Sequence, residues 1–250
     1  MPEGPSIVIL KEEAQLFIGK KVLQVSGNAK VHLHRLQSQK ITDLKTWGKQ
    51  FLICFEKFTV RVHLLLFGSY RINERREMPP RLSLQFKNGE MNFYNCSVKI
   101  LDEELDSVYD WEVDLMSDEW NPVKAFNSIR MQGDTPVCDI LLDQDIFAGS
   151  GNIVKNEVLF ITMIHPLTAA NALTAKKLRA LVTKTRNYCF RFYEWKRKFE
   201  FKKHWQVYRS KICPRCDIPL IIKPLGRNMR RTFFCSNCQI LYKKKIPIGN

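Results

Sequence analysis

The spacing of apolar side chains divides this chain into two halves. Residues 6–17 carry apolar positions at helical spacing and stop at Gly19, a residue suited to the left-handed position that ends a helix. After that the pattern shortens. Runs over 21–26, 47–56, 59–73, 81–87 and 91–101 are rich in Val, Ile, Leu and Phe and read as strands. Asn88-Gly89, between two of these runs, is a strong hairpin signal. This half reads as an antiparallel β-sandwich with an N-terminal helix packed on it.

Residues 102–122 are acidic and end near Pro122, so 111–122 is expected to be a linker after a domain over 1–110. Beyond it the period lengthens. Segments 123–131, 138–146, 152–164 and 174–194 predict helices, with Gly149-Ser150-Gly151 and His165-Pro166 as breaks. Residues 195–211 alternate basic and aromatic side chains, and a cysteine-bearing module over 212–246 closes the second domain, 123–250. The expected class is therefore α+β, a β-sandwich followed by a helical domain with a terminal β-hairpin module.

Charge adds a partner to this picture. The 250 residues carry a formal +15, but unevenly. From Lys176 to Asn250 there are 21 Lys and Arg against three acids, a local +18 that leaves residues 1–175 at −3. A local positive field attracts a polyanion, with nucleic acid ahead of an acidic membrane surface. No run of 18 apolar residues occurs, which excludes a spanning helix, and the start lacks the basic-then-apolar pattern of a secretory signal.

Eight cysteines sharpen the chemistry. Cys54, Cys96, Cys138 and Cys189 sit among apolar neighbours and read as buried thiols, which fits a reducing, cytoplasmic setting. Cys213-Pro214-Arg215-Cys216 and Cys235-Ser236-Asn237-Cys238 form two C-x2-C knuckles separated by 18 residues. That spacing is the four-cysteine pattern of a structural zinc site, closed to chemistry because every position is filled by thiolate. Two disulfides are the alternative. The intervening segment, with Arg227, Arg230 and Arg231, reads as a basic hairpin that can set arginines against phosphates, or as a solvated charged loop.

Two further motifs carry chemistry. The chain begins Met1-Pro2-Glu3-Gly4-Pro5. Trimming of Met1 would leave Pro2 as a secondary amine that titrates far below a lysine and can attack a carbon to form a cationic Schiff base. Glu3 beside it is placed to move protons; a merely rigid chain start is the alternative. Gly149-Ser150-Gly151-Asn152 reads as a tight turn into a helix whose free N–H groups suit a phosphate. Asn152 is placed to cap that helix, to hold the phosphate, or to do both.

Together these blocks resemble the formamidopyrimidine-DNA glycosylase / endonuclease VIII family over the whole chain. The resemblance rests on Pro2-Glu3-Gly4-Pro5, on Trp47-Gly48-Lys49, and on His63-Leu64-Leu65-Leu66-Phe67-Gly68. It continues through the glycine-broken helix block around Asn152 to the finger segment Arg231-Thr232-Phe233-Phe234-Cys235. It implies that Pro2 is the nucleophile at C1′ of a damaged nucleotide, Glu3 the general acid/base, and Lys49 a catalytic phosphate-binding lysine. It implies further phosphate contacts from His63, Asn152 and Arg231. Leu65, Leu66 and Phe67 would fill the gap left by a flipped base. One structural zinc on Cys213, Cys216, Cys235 and Cys238, damaged double-stranded DNA as partner, and a monomer are implied as well.

Three consecutive wedge residues resemble the endonuclease VIII branch and point to oxidised pyrimidines and β,δ-elimination. The glycine-turn block resembles the oxidised-purine branch instead. Ser6 stands where the family usually has a carboxylate, and Cys138 where the purine branch has a lysine. A purine glycosylase, or a non-catalytic damage-binding protein on the same scaffold, are the alternative readings.

Overall fold

The computed structural model describes residues 2–244 and divides between Asp110 and Trp111 into two compact units. In the first, helix α1 (Gly4–Ala14) runs into one tighter turn, Gln15–Phe17. Eight strands follow: β1 (Gln24–Ser26), β2 (Asp43–Trp47), β3 (Gln50–Cys54), β4 (Thr59–His63), β5 (Ser69–Ile72), β6 (Leu82–Phe86), β7 (Gly89–Tyr94) and β8 (Ser97–Leu101). A single-turn helix, α2 (Leu105–Val108), comes after them. All strand pairs are antiparallel, in two sheets ordered β1-β6-β7-β5 and β2-β3-β4-β8. Alternation decides which side chains face inward. Val60 and Val62 of β4 join Phe51, Leu82, Leu84 and Phe93 in one core, closed by Ile7, Leu10 and Phe17 from the start of the chain.

Two runs expected as single strands are each broken where the chain changes sheet. The run 59–73 becomes β4 and β5, joined by a turn in which Leu65 has φ +51° and the Gly68 N–H donates to Leu64 O at 2.7 Å. The run 91–101 becomes β7 and β8, broken at Asn95, with φ +49°. The two crossovers touch. A Cβ on Gly68 would stand 2.0 Å from Leu64 O and 2.8 Å from Asn95 O, both backbone atoms that cannot rotate away. Gly68→Ala should therefore destabilise the protein by about 3 kcal/mol, in the range of overpacked sites. Urea unfolding measures this, and a loss below about 0.5 kcal/mol would show that the crossovers yield freely.

The second unit holds α3 (Pro122–Met131), α4 (Val137–Ile140), α5 (Asn152–Ile161), α6 (Ala175–Arg197), and the hairpin β9 (Ile221–Leu225) with β10 (Arg230–Phe234). Asn121 caps α3 by accepting from the N–H groups of Val123 and Lys124, with Pro122 preset in its first turn. The core gathers Ile129, Leu141, Phe147, Val158, Leu181 and Phe192. The stretch 111–122, expected as a linker, contributes Leu115 and Trp120 to this core.

The helix expected over 138–146 is only the single turn α4. Asp143 accepts the Asp145 N–H at 2.9 Å, a local turn that competes with helix. Gln144 then staples the glycine turn, donating to Leu142 O and Ser150 O and accepting from Gly149 N. The basic-aromatic segment after α6 is packed: Phe192 stacks on Phe201 at 3.6 Å and Trp195 on His204 at 4.2 Å.

Candidate functional site

In the first unit the singled-out residues fall on α1 and on one sheet. Pro2 lies one residue before the capping position of α1 and is partly exposed, whereas Glu3, the helix-capping residue, is fully buried. Its backbone is extended, its carbonyl accepts the Ser6 N–H at 2.8 Å, and its side chain does not cap the helix. The positive end of α1 lies beside the Glu3 carboxyl group. Ser6 is also buried, in the first turn of that helix.

Lys49 lies in the turn joining β2 to β3, next to Gln50, and Gln50 is paired with His63 of β4. Lys49 and His63 therefore lie at the same end of the sheet. His63 titrates below its ordinary 6.5, because burial disfavours the charged ring and Lys49 and Arg61 repel it. Its Nδ1 accepts the Leu65 N–H at 3.0 Å, so the remaining proton is on Nε2, a donor suited to an anionic oxygen.

Because the folded protein binds this proton more weakly than the unfolded chain, the stability tied to neutral His63 is complete above pH 6.5 and declines as pH falls below it. Imidazole NMR should show a midpoint below 6.5 and the Nε2–H form at pH 7. A midpoint above 6.5 would contradict this environment.

His63 also fixes the start of an apolar turn. Leu64 is only 3% exposed, but Leu65, Leu66 and Phe67 are 50%, 47% and 84% exposed. The turn thus presents three large apolar side chains to water, an arrangement that suits insertion between bases.

In the second unit, Asn152 opens α5, but Gly151 occupies the capping position and the Asn152 side chain does not cap. Instead its Nδ2 donates to Arg231 O at 2.9 Å, and its buried Oδ1 has no partner among the described residues. Arg231, on β10, is exposed, with its guanidinium 5.4 Å from the Phe233 ring.

Two more bonds tie this helix to the strand. Lys155, fully buried, donates to Thr232 Oγ1 at 2.8 Å, and Asn156 accepts the Phe233 N–H at 2.8 Å. The tip of the hairpin is held as well: Asp139 of α4 accepts the Arg227 N–H, and a Cβ on Gly226 would lie 2.2 Å from its carboxylate. Gln144, Asp139, Lys155 and Asn156 were not expected from the sequence. The one available signal was the presence of Lys155, Asn156 and Glu157 inside an otherwise apolar helix.

Cys213, Cys216, Cys235 and Cys238 place their sulfurs within 4.8 Å of one another, with Cys213 and Cys238 3.7 Å apart. A tetrahedron of thiolates at the usual zinc–sulfur length has edges of about 3.8 Å. The Asn237 side chain donates to Cys216 Sγ and the Cys238 N–H to Cys235 Sγ, support typical of anionic sulfur. The four residues can bind a metal ion. The other cysteines, Cys54, Cys96, Cys138 and Cys189, are buried thiols.

Two family models cover most of the chain: the formamidopyrimidine-DNA glycosylase N-terminal domain matches residues 1–98, and the formamidopyrimidine-DNA glycosylase H2TH domain matches residues 114–189. The chain belongs to the formamidopyrimidine-DNA glycosylase family. Among glycosylases of this family it is similar to endonuclease 8-like 3 of Mus musculus, with 32% identity over 206 residues, 78% of this chain and 34% of that protein. It therefore spans about a third of the length of that relative. Endonuclease 8-like 2 of Bos taurus is 32% identical over 72% of this chain and 58% of its own length. Endonuclease 8-like 2 of Mus musculus is 25% identical over 99% of this chain and 98% of its length. These relatives put the chain on the endonuclease VIII-like branch. The glycosylase fold is shared with the Lactococcus lactis formamidopyrimidine-DNA glycosylase bound to DNA containing an AP site, at TM-score 0.84, 20% identity and 95% and 99% coverage of the two chains.

Proposed function

We propose that this protein is a DNA glycosylase and AP lyase of base-excision repair, acting on oxidised bases in duplex DNA and favouring pyrimidines. The observation that carries the reading is the start of the chain: Pro2 lies outside the first turn of α1 and a fully buried Glu3 lies beside it. Removal of Met1 frees the Pro2 nitrogen. That amine attacks C1′ of a flipped nucleotide, the glycosidic bond breaks, and the base leaves with a proton. Opening of the sugar gives an iminium at C1′, which acidifies the C2′ proton. Loss of that proton expels the 3′ phosphate, and a second elimination expels the 5′ phosphate. Glu3 moves protons in these steps.

Lys49 and His63 Nε2 offer positive charge and a donor to backbone phosphates near the lesion. Asn152 and Arg231, joined by one hydrogen bond, offer two more contacts. Leu65, Leu66 and Phe67 enter the space vacated by the flipped base. Zinc on Cys213, Cys216, Cys235 and Cys238 supplies structure only, by fixing the base of the hairpin that carries Arg231. The protein works as a monomer in a reducing compartment, and its duplex affinity falls steeply with salt.

The test is borohydride reduction on duplexes carrying thymine glycol, 8-oxoguanine or an abasic site, using protein whose Pro2 start has been verified by mass. A covalent adduct mapping to Pro2, formed faster on thymine glycol, is the expected result. Faster trapping on 8-oxoguanine would move the specificity to oxidised purines. No adduct on any of the three would leave a damage-binding protein without chemistry.

A further inference from the structure

The charge excess is not confined to the finger. Helix α6 carries eight Lys and Arg and one acid, Glu194, in its 23 residues. Its buried stripe includes Leu178, Leu181, Thr185, Cys189 and Phe192. To one side of that stripe lie Arg179, Thr183, Arg186, Phe190, Tyr193 and Arg197. Their alternating steps of four and three place them on one line along the helix.

The side chains on this line are paired, arginine with aromatic. Arg186 lies over Phe190 at 5.4 Å and Arg197 over Tyr193 at 5.5 Å. Arg179 lies over Phe126 of α3 at 5.3 Å, and Arg130 approaches the same ring at 5.9 Å. Arg186 is braced by its bond to Ser117 O at 3.1 Å, and Arg197 by its bond to the Tyr193 hydroxyl at 3.0 Å. At the Arg179 end the line opens into a groove of about 360 Å³ between α3 and α6, lined by Val123, Phe126 and Thr183 among others. Phe190 is 39% exposed despite its size.

We propose that this arginine–aromatic line is a binding surface for single-stranded nucleic acid, separate from the Asn152–Arg231 pair on α5 and β10. From Arg179 to Arg197 it is about 27 Å long, at 1.5 Å per helical residue. That length accommodates several nucleotides, with guanidinium groups against phosphates and rings against bases. The net positive charge of the helix selects a polyanion. The aromatic rings select one with open π-faces, which a duplex hides and an acidic peptide lacks. The surface uses no atom of the first unit, so it stands or fails independently of the chemistry at Pro2.

The test measures anisotropy of a fluorescent 20-nucleotide oligothymidylate, free of lesions, with the full chain. The unaltered protein should bind it. Arg179→Gln combined with Arg197→Gln should weaken binding at least tenfold, and Phe190→Ala alone at least threefold. Lys184→Gln combined with Arg191→Gln removes the same charge from the opposite flank of α6 and should cost less than threefold. All three should trap on an abasic site in a short duplex within twofold of the unaltered protein, which also reports that they are folded. Failure of the unaltered protein to bind, equal losses from the two charge-matched pairs, or no loss from Phe190→Ala would overturn the proposal. Displacement of the oligonucleotide by polyglutamate at equal charge concentration would also overturn it, assigning the surface to an acidic peptide.

Discussion

Glu3→Gln protein should release an oxidised pyrimidine from duplex DNA at least about 100-fold more slowly than the unaltered protein, since proton transfer by a positioned group contributes 10²–10⁴. The amide keeps the shape of the fully buried carboxylate, so the fold is retained. What is lost structurally is the favourable meeting of a negative charge with the first turn of α1, worth about 0.3–1 kcal/mol. Two rates should separate. Base release needs a proton moved at both the base and the sugar, whereas a preformed abasic site already lacks the base. Single-turnover release from thymine glycol should therefore fall further than trapping on an abasic duplex. If both rates stay within fivefold of the unaltered protein, Glu3 is a structural residue and the proton carrier is elsewhere.

On the proposed zinc site, stripping the metal from the four cysteines should have the second large effect. Structural zinc contributes about 10–16 kcal/mol in small fingers, and that energy is folding energy. Without it the β9–β10 hairpin loses its base. The loss does not stop at the finger, because β10 supplies the partners of three side chains on α5: Arg231 O for Asn152, Thr232 Oγ1 for Lys155, and the Phe233 N–H for Asn156. Lys155, fully buried, would lose a partner of its ammonium.

Chelation, or Cys235→Ala, should thus speed hydrogen exchange in residues 152–156 as well as in the finger, while β3 and β4 amides stay protected. Affinity for an abasic-site duplex should fall at least about 30-fold, given that several phosphate contacts go at once. Unchanged exchange in 152–156 would mean that α5 holds its shape without the finger.

Much of this was legible in the sequence, and the reasons are specific. The cysteine knuckles state their geometry through spacing alone. The alternation in 59–63 and 82–86 announces half-buried strands. Strand β2 was missed because Asp43-Leu44-Lys45-Thr46-Trp47 offers few apolar positions to reveal a period. The sheet changes at Leu65 and Asn95 were missed because each relies on a positive φ at a residue other than glycine. Helix 138–146 was over-extended because Leu141 and Leu142 continue the helical pattern, while the Asp143 side chain bonds to the backbone and ends it.

The site residues on α5 show the deeper limit of pattern reading. Lysine reads as surface, yet Lys155 is in the interior, where Thr232, 77 residues away, presents a hydroxyl to it. Asn152 read as a cap or a phosphate ligand. Its side chain in fact spans to the strand that carries Arg231, which links the two residues mechanically.

The contact of Gly68 with both crossovers has an evolutionary consequence. The turn before it is pinned at Leu64 and at Asn95, so its length cannot change without re-registering strands in two sheets. Phe67, by contrast, projects into solvent, and Leu65 and Leu66 are about half exposed, so substitution there disturbs less packing than at Leu64. Drift in lineages sharing this crossover should therefore change the chemistry of these three side chains while conserving their number. On the proposed function, new lesion preferences would be sampled there by point substitution, with no loop to lengthen and no fold to rebuild.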